Sequence, residues 1–158
     1  MMDSGAYVLG PDEAELRSGP GATSTYFMAT GDLTGGKFGL VDERAGKGES
    51  VPLHRHAEDH ESFFVLEGEI TFFLDGRPGV RAHAGSFAHI PGGTVHGFRV
   101  ESERARYLIL TTPRHAEFYR AITRKVDSPG DPFEKVTGEM IGQACREFGI
   151  EYVGALPG

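Results

Sequence analysis

The chain has 158 residues, a length that fits one domain with a buried core. Its formal net charge is −7 and its Lys and Arg residues are scattered, so binding of nucleic acid or of an anionic membrane is not expected. The one cysteine, Cys145, excludes an internal disulfide, and no apolar stretch approaches the roughly 20 residues that span a bilayer. The N-terminal residues lack the charged start and apolar centre of a signal peptide, so a cytoplasmic protein is the simplest expectation.

The abundance of 23 Gly and 9 Pro favours many short strands and tight turns over long helices. The segment 1–24 is predicted to be irregular, with a short helical turn at 12–16. A hairpin turn is predicted at Asp75-Gly76. Segments with strand character then recur at short intervals, at 25–30, 37–42, 61–66, 70–74, 80–83, 87–90, 96–100 and 105–111.

The pattern changes after Pro113, where 115–125 and 132–148 are predicted to be helices and Gly149 is a plausible cap for the second. We therefore expect a mainly β protein: an irregular segment at 1–24, a closed or two-sheet barrel at 25–112, and a helical extension of the same domain at 113–158, packed outside the barrel.

A cluster of metal-ligating residue types lies in the centre of the chain. Along a strand, His54 and His56 would point to the same side, about 7 Å apart, so both imidazoles could reach one ion. In the next strand Glu61 alternates in phase with the apolar Phe63, which favours Glu61 over His60 as an inward-facing third ligand.

A second cluster follows downstream, where a Pro-Gly-Gly turn precedes His96. His96 shares a strand face with Phe98, so it would enter the barrel as a fourth ligand if that face is interior. Three imidazoles and one carboxylate suit a divalent transition metal such as iron, nickel, manganese, cobalt, copper or zinc, whereas calcium prefers oxygen ligands.

The spacing of these residues resembles the paired signatures of the cupin superfamily. The first signature, G-x5-H-x-H-x4-E-x6-G, is matched by Gly48, His54, His56, Glu61 and Gly68. The second, G-x5-P-x-G-x2-H, is matched by Gly85, Pro91, Gly93 and His96, but the Asn that ends the family pattern is replaced here by Val100.

The resemblance implies a double-stranded β-helix, or jelly-roll barrel, with the metal held by His54, His56, Glu61 and His96. The chain looks most like the bacterial single-domain quercetinase-like (quercetin 2,3-dioxygenase-like) members, in which O2 cleaves a flavonol and Glu61 would accept the substrate's hydroxyl proton. The resemblance also implies a homodimer, for which the strand at 25–30 could supply an edge.

Two other functions stay open because fold does not determine reaction. The first is a redox-neutral isomerase, cyclase or lyase on an enol or polyketide-like molecule, with the metal as Lewis acid and Glu61 or His60 moving a proton. The second is a non-catalytic module that binds a small molecule.

Ordinary structural roles are expected for the other residues of interest. Isolated histidines are usually exposed or hydrogen-bonded, and this is predicted for His83, His89 and His115. His60 is expected either on the outer face or behind a metal ligand that it supports. Tyr107 and Tyr119 have no predicted partner. Packed side chains are predicted at Phe63, Phe72, Phe87 and Phe98, and at Cys145, which shares a helix face with Ile141 and Phe148.

Overall fold

The fold is known from a computed structural model that describes residues 5–158. These residues form two antiparallel sheets, one of seven strands in the order β11-β1-β2-β3-β10-β5-β8 and one of five in the order β12-β4-β9-β6-β7. The elements are β1 (Glu15–Ser18), β2 (Ser24–Ala29), β3 (Gly39–Gly46), β4 (Ser50–His56), β5 (Glu61–Glu67), β6 (Glu69–Leu74), β7 (Val80–His83), β8 (Phe87–Ile90), β9 (His96–Val100), β10 (Arg104–Thr111), α1 (Pro113–Ala121), β11 (Arg124–Lys125), α2 (Gly138–Phe148) and β12 (Ile150–Gly154).

The core lies between the two sheets, because alternate residues of each strand turn inward. Phe63 of β5 lies with its ring centroid 5.2 Å from that of Phe72 and 5.5 Å from that of Phe98 on the facing sheet. Tyr107 of β10 completes this aromatic layer. The predicted mainly β, two-sheet barrel is confirmed, and Phe63, Phe72 and Phe98 are core residues as predicted.

Gly68 marks the corner where the chain passes from the seven-stranded sheet to the five-stranded one. Its φ is +87°, and a Cβ added there would lie 2.2 Å from the carbonyl oxygen of Arg104. Only glycine tolerates both the left-handed backbone and this close approach. The step from β5 to β6 therefore requires glycine at this position.

The pairing of β4 with β9 contains a register shift between Val51 and His54. Val51 pairs with Phe98 and His54 pairs with His96, so β4 carries one residue more than β9 over this stretch. Val51 is therefore on the cavity side together with His54 and His56, although simple alternation would separate them.

The two helices follow the barrel and pack against each other. Thr112 caps α1 by accepting a hydrogen bond from the backbone N–H of His115, and Gly149 ends α2 with a φ of +71°, the role predicted for it. Each helix is shorter than predicted, because residues 124–125 pair with β1 as strand β11 and α2 begins only after its cap, Thr137. The strand β12, which pairs with β4, was not predicted.

Three other expectations are wrong. Instead of a helical turn at 12–16, Glu15–Ser18 forms β1, because alternation sends Leu16 into a small outer core with Tyr26 and places Arg17 on the opposite face, where it donates to Thr123. The strand at 25–30 is not an edge, since β2 lies between β1 and β3. Phe87 is 65% exposed rather than buried.

Within residues 5–158, no helix has the length and apolar character needed to cross a membrane.

Candidate metal centre

Four side chains from three strands converge at one end of the barrel interior. His54 and His56 come from β4, Glu61 from the start of β5, and His96 from the start of β9. One potential ligand atom of each lies within 4.8 Å of those of the others. Oε1 of Glu61 is 2.8 Å from Nε2 of His56 and 2.9 Å from Nε2 of His96. The fold thus brings together the four residues singled out from the sequence.

Each of the three imidazoles is oriented by a hydrogen bond from Nδ1 to a nearby backbone carbonyl. Nδ1 of His54 donates to the carbonyl of Pro52 at 2.8 Å, and Nδ1 of His96 donates to that of Thr94 at 2.8 Å. His56 donates in the same way to Asp59, at 2.6 Å. Because a carbonyl only accepts, Nδ1 carries the proton and Nε2 is left with a lone pair.

This donor set fits a divalent cation. Lone pairs of Nε2 on His56 and His96 face an ionised carboxylate oxygen, an arrangement that repels unless a cation or a proton lies between them. Imidazoles that donate their other N–H to carbonyls are typical of metal ligands, whose orientation and basicity such bonds set. Three imidazole nitrogens and one carboxylate oxygen match the preferences of a first-row transition metal.

The electrostatics of the cluster keep its carboxylate ionised. Burial alone would raise the pKa of Glu61, but the nearby imidazoles of His115, His56 and His96 hold that pKa well below its ordinary value. Burial and the neighbouring imidazole of His96 lower the pKa of His54 to about 4, so it is a neutral ligand near pH 7. Burial alone would lower the pKa of His56, but the hydrogen bond to Glu61, the charge of Glu61 and the hydrogen bond to Asp59 together raise it.

Helix α1 adds two residues that were not predicted for the site. His115 is 2% exposed, its ring centroid lies 4.2 Å from that of His56, and its Nε2 is 3.5 Å from Oε1 of Glu61. Its predicted ordinary role is therefore wrong. One turn later, the hydroxyl of Tyr119 donates to Oε2 of Glu61. The i, i+4 spacing of these polar rings on one helix face was the signal available in the sequence.

The cluster opens onto a cavity of about 630 Å³ between the sheets, α1 and α2. Its walls are largely apolar and aromatic, and among the described residues none of those that line it is Lys or Arg. Besides Glu61, two carboxyl groups line it, Glu43 and Glu49. The cavity is suited to a neutral ligand, because a buried anion would find no cation to pair with outside the metal cluster.

Glu43 holds a proton more tightly than an ordinary carboxyl group. Burial, followed by the charge of Glu61, raises its pKa to about 8, while a hydrogen bond from Tyr107 acts in the opposite direction. The cavity thus contains one carboxyl group that is ionised near pH 7 and a second that is largely protonated.

The remaining candidates lie away from the cluster. Nδ1 of His89 is 2.8 Å from the hydroxyl of Ser62, and exposed His83 contacts Glu69, as expected for hydrogen-bonded histidines. The imidazole of His60 lies near that of His89 rather than in the cluster. Cys145 is half-buried against the cavity, and burial raises its pKa, which does not favour a nucleophilic thiolate.

Comparison with known proteins agrees with the fold and the cluster. Residues 42–111 match the family described as Cupin domain. The chain is 34% identical over 148 residues to quercetin 2,3-dioxygenase of Bacillus subtilis (strain 168), in an alignment that covers 87% of this chain and 44% of that protein. The chain thus spans less than half the length of this relative.

Solved structures share the architecture at low sequence identity. An RmlC-like cupin from Shewanella frigidimarina NCIMB 400 superposes with a TM-score of 0.63 at 18% identity, covering 74% of this chain and 99% of that one. A predicted oxalate decarboxylase from Thermotoga maritima superposes with a TM-score of 0.61 at 20% identity, covering 67% of this chain and 98% of that one. A cupin-superfamily sugar phosphate isomerase from Silicibacter pomeroyi DSS-3 superposes with a TM-score of 0.57 at 26% identity, covering 67% of this chain and 75% of that one. The chain therefore contains a cupin domain and has the jelly-roll barrel of the cupin superfamily.

Proposed function

We propose that this protein is a metal-dependent dioxygenase of the quercetinase type, which cleaves a flavonol or a related enol or aromatic substrate with O2. The observation that carries the proposal is the convergence of His54, His56, Glu61 and His96 at the end of an apolar cavity. The similarity to quercetin 2,3-dioxygenase, which extends over most of this chain, supports the same reaction class.

The metal would be held by the Nε2 atoms of the three histidines and by Oε1 of Glu61. When bound, such an ion supplies Lewis acidity that lowers the pKa of a substrate hydroxyl and offers open positions for small oxygen ligands. The donor set does not select among iron, nickel, manganese, cobalt, copper and zinc.

Glu61 is the proposed proton acceptor of the reaction. Its low pKa keeps it ionised near pH 7, so the carboxylate has a lone pair for the proton of an enolic hydroxyl within hydrogen-bond reach; because the same low pKa makes it a weak base, that hydroxyl must itself be acidic. Phe63, Phe98 and Ile109 line the same cavity and would exclude water from the reacting carbon atoms.

The charge of the cavity favours a neutral substrate over an anionic one. A phosphate or dicarboxylate would have to approach Glu49 and the ionised Glu61 without a lysine or arginine from the described residues that line the cavity. A polyhydroxylated aromatic molecule instead offers hydroxyl donors to those carboxyl groups and flat apolar faces to the phenylalanines.

The decisive experiment measures O2 consumption with a panel of flavonols and enediols after loading with each of the six metals. We expect turnover of a 3-hydroxyflavone and none of the matched flavone that lacks the 3-hydroxyl group. The His54→Ala/His56→Ala double variant should contain no metal, as measured by elemental analysis, and should have no turnover. Metal content equal to that of the wild type would remove these two histidines from the site.

Glu61→Gln tests the proton acceptor. The amide is isosteric but cannot accept the proton, so we expect a folded protein with turnover reduced by about 10²-fold or more. Thermal unfolding checks the fold and single-turnover kinetics check the chemical step. Turnover at the wild-type rate would reject the role of Glu61.

A redox-neutral reaction is the second candidate, and Glu43 is the observation that favours it. A carboxyl group with a pKa of about 8 in the same cavity as an ionised one could give and take a proton, as an isomerase or lyase requires. Turnover under nitrogen with the zinc-loaded protein would establish this candidate in place of the first. Ligand binding without turnover under either atmosphere would indicate a non-catalytic module.

A further inference from the structure

The two oxygens of the Glu61 carboxylate have different partners. Oε1 faces Nε2 of His56, of His96 and, at 3.5 Å, of His115. Oε2 accepts the hydrogen bond from the hydroxyl of Tyr119, and among the described residues no histidine forms a hydrogen bond with it. One oxygen therefore faces the imidazoles and the other is bound by Tyr119 of α1.

We propose that Tyr119 is a positioning residue that holds Oε2 of Glu61, so that only Oε1 is presented to the metal and the carboxylate binds through one oxygen. This inference rests on the metal site described under Proposed function, but not on the dioxygenase reaction. Without the hydroxyl of Tyr119, Oε2 would lack its donor in a buried environment, and the carboxylate could rotate to bind through both oxygens or leave the site.

The placement of Tyr119 is rigid because α1 is tied to the same loop that orients His56. The backbone carbonyl of Asp59 accepts the hydrogen bond from Nδ1 of His56. The Asp59 side chain accepts one at 2.6 Å from Thr112, the residue that caps α1. Asp59, itself 3% exposed, thus connects a strand histidine to the first turn of the helix that carries Tyr119.

Contacts at the C-terminal end of α1 also hold Tyr119 in place. The hydroxyl of Thr123 donates to the backbone carbonyl of Tyr119 at 2.8 Å, and the rings of His115 and Tyr119 meet edge to face with centroids 4.8 Å apart. His115 in turn lies over the ring of His56. The Tyr119 hydroxyl therefore has little freedom to move away from Glu61.

The test uses Co²⁺ as the metal and the Tyr119→Phe variant, which removes one oxygen atom and keeps the ring. We expect Co²⁺ to bind roughly 10–100-fold more weakly, as for other partners that orient metal ligands, and the visible absorption of bound Co²⁺ to change as the carboxylate changes its mode of binding. Tyr26→Phe is the matched control, because Tyr26 is a buried tyrosine that packs with Leu16 outside the site. It should leave both affinity and spectrum unchanged.

A double-mutant cycle shows whether Tyr119 acts through Glu61. In a Glu61→Ala background, where three histidines remain to bind Co²⁺, Tyr119→Phe should cause no further loss of affinity. An equal loss in both backgrounds, or a wild-type affinity and spectrum for Tyr119→Phe alone, would overturn the proposal.

The cobalt measurements also separate this inference from the proposed reaction. If wild-type protein binds no Co²⁺, the metal site fails and the role of Tyr119 fails with it. If Tyr119→Phe behaves as expected while no substrate consumes O2, the positioning role stands and the dioxygenase assignment is rejected.

Discussion

His54 and His56, two histidines of the cluster, differ in how tightly they hold a proton. The hydrogen bond between His56 and Glu61 raises the pKa of His56 above its ordinary value of 6.5, although burial opposes this. Burial, together with the imidazole of His96, whose ring centroid lies 4.3 Å away, lowers the pKa of His54 to about 4. Of these two histidines, His56 should therefore be the first at which protons compete with the metal as the pH falls.

We expect the affinity for Co²⁺ to fall as the pH is lowered. A metal needs the neutral imidazole, so below the raised pKa of His56 the affinity should drop by roughly tenfold per pH unit, and protonation of His54 should add to this only near pH 4. Dissociation constants measured from about pH 8.5 down to about pH 5.5 check the slope. An affinity that is flat across this range would contradict it.

The register shift in β4 is the feature of a single element that matters most for the site. It lies opposite Gly97 of β9, where an added Cβ would meet the carbonyl oxygen of Val51 at 2.6 Å. The absence of a side chain at Gly97 thus lets the extra residue of β4 fit between Val51 and His54.

Gly97→Ala should therefore push β4 away at the point where its histidines enter the barrel. We expect a loss of about 1–3 kcal/mol in the free energy of unfolding, as for other overpacked sites, together with weaker Co²⁺ binding. Gly154→Ala is the control, because Gly154 also lies in a strand but has no atom within 4 Å of an added Cβ. Urea unfolding and metal titration measure both effects; equal behaviour of the two variants would contradict the explanation.

On the scale of the whole molecule, the outer face of the seven-stranded sheet carries an exposed apolar patch. Phe64 of β5 and Phe87 of β8 pair across the strands and are 41% and 65% exposed, and Leu110 of β10 is 41% exposed. Several large apolar side chains together on one sheet face are typical of a surface that another chain covers.

We predict that two copies of the chain pair through this patch, which would give the homodimer expected from the sequence. The protein should have the mass of a dimer by light scattering, and Phe64→Asp/Phe87→Asp should be monomeric with unchanged Co²⁺ affinity. Val153→Asp is a control on β12 of the other sheet, where Val153 is 48% exposed, and it should remain dimeric. A monomeric wild type, or a double variant that stays dimeric, would reject this interface.

The sequence by itself determined most strands of the barrel and the four residues of the candidate metal cluster. Both depend on local patterns: alternation decides which side of a strand a residue occupies, and the spacing of His54, His56, Glu61 and His96 distributes them over strands β4, β5 and β9. The cap at Gly149 is equally local, because its backbone conformation depends on the residue itself.

Only the tertiary structure decided what surrounds the cluster. Tyr119 is 58 residues from Glu61 in the chain, and its hydroxyl reaches the carboxylate because α1 folds back over the barrel and is capped by Thr112. The strands β1 and β12 form because β2 and β4 offer free edges for them to pair with, and the shift in β4 depends on the space left by Gly97. These contacts join residues far apart in sequence, and their energies are set by packing and pairing that no local pattern contains.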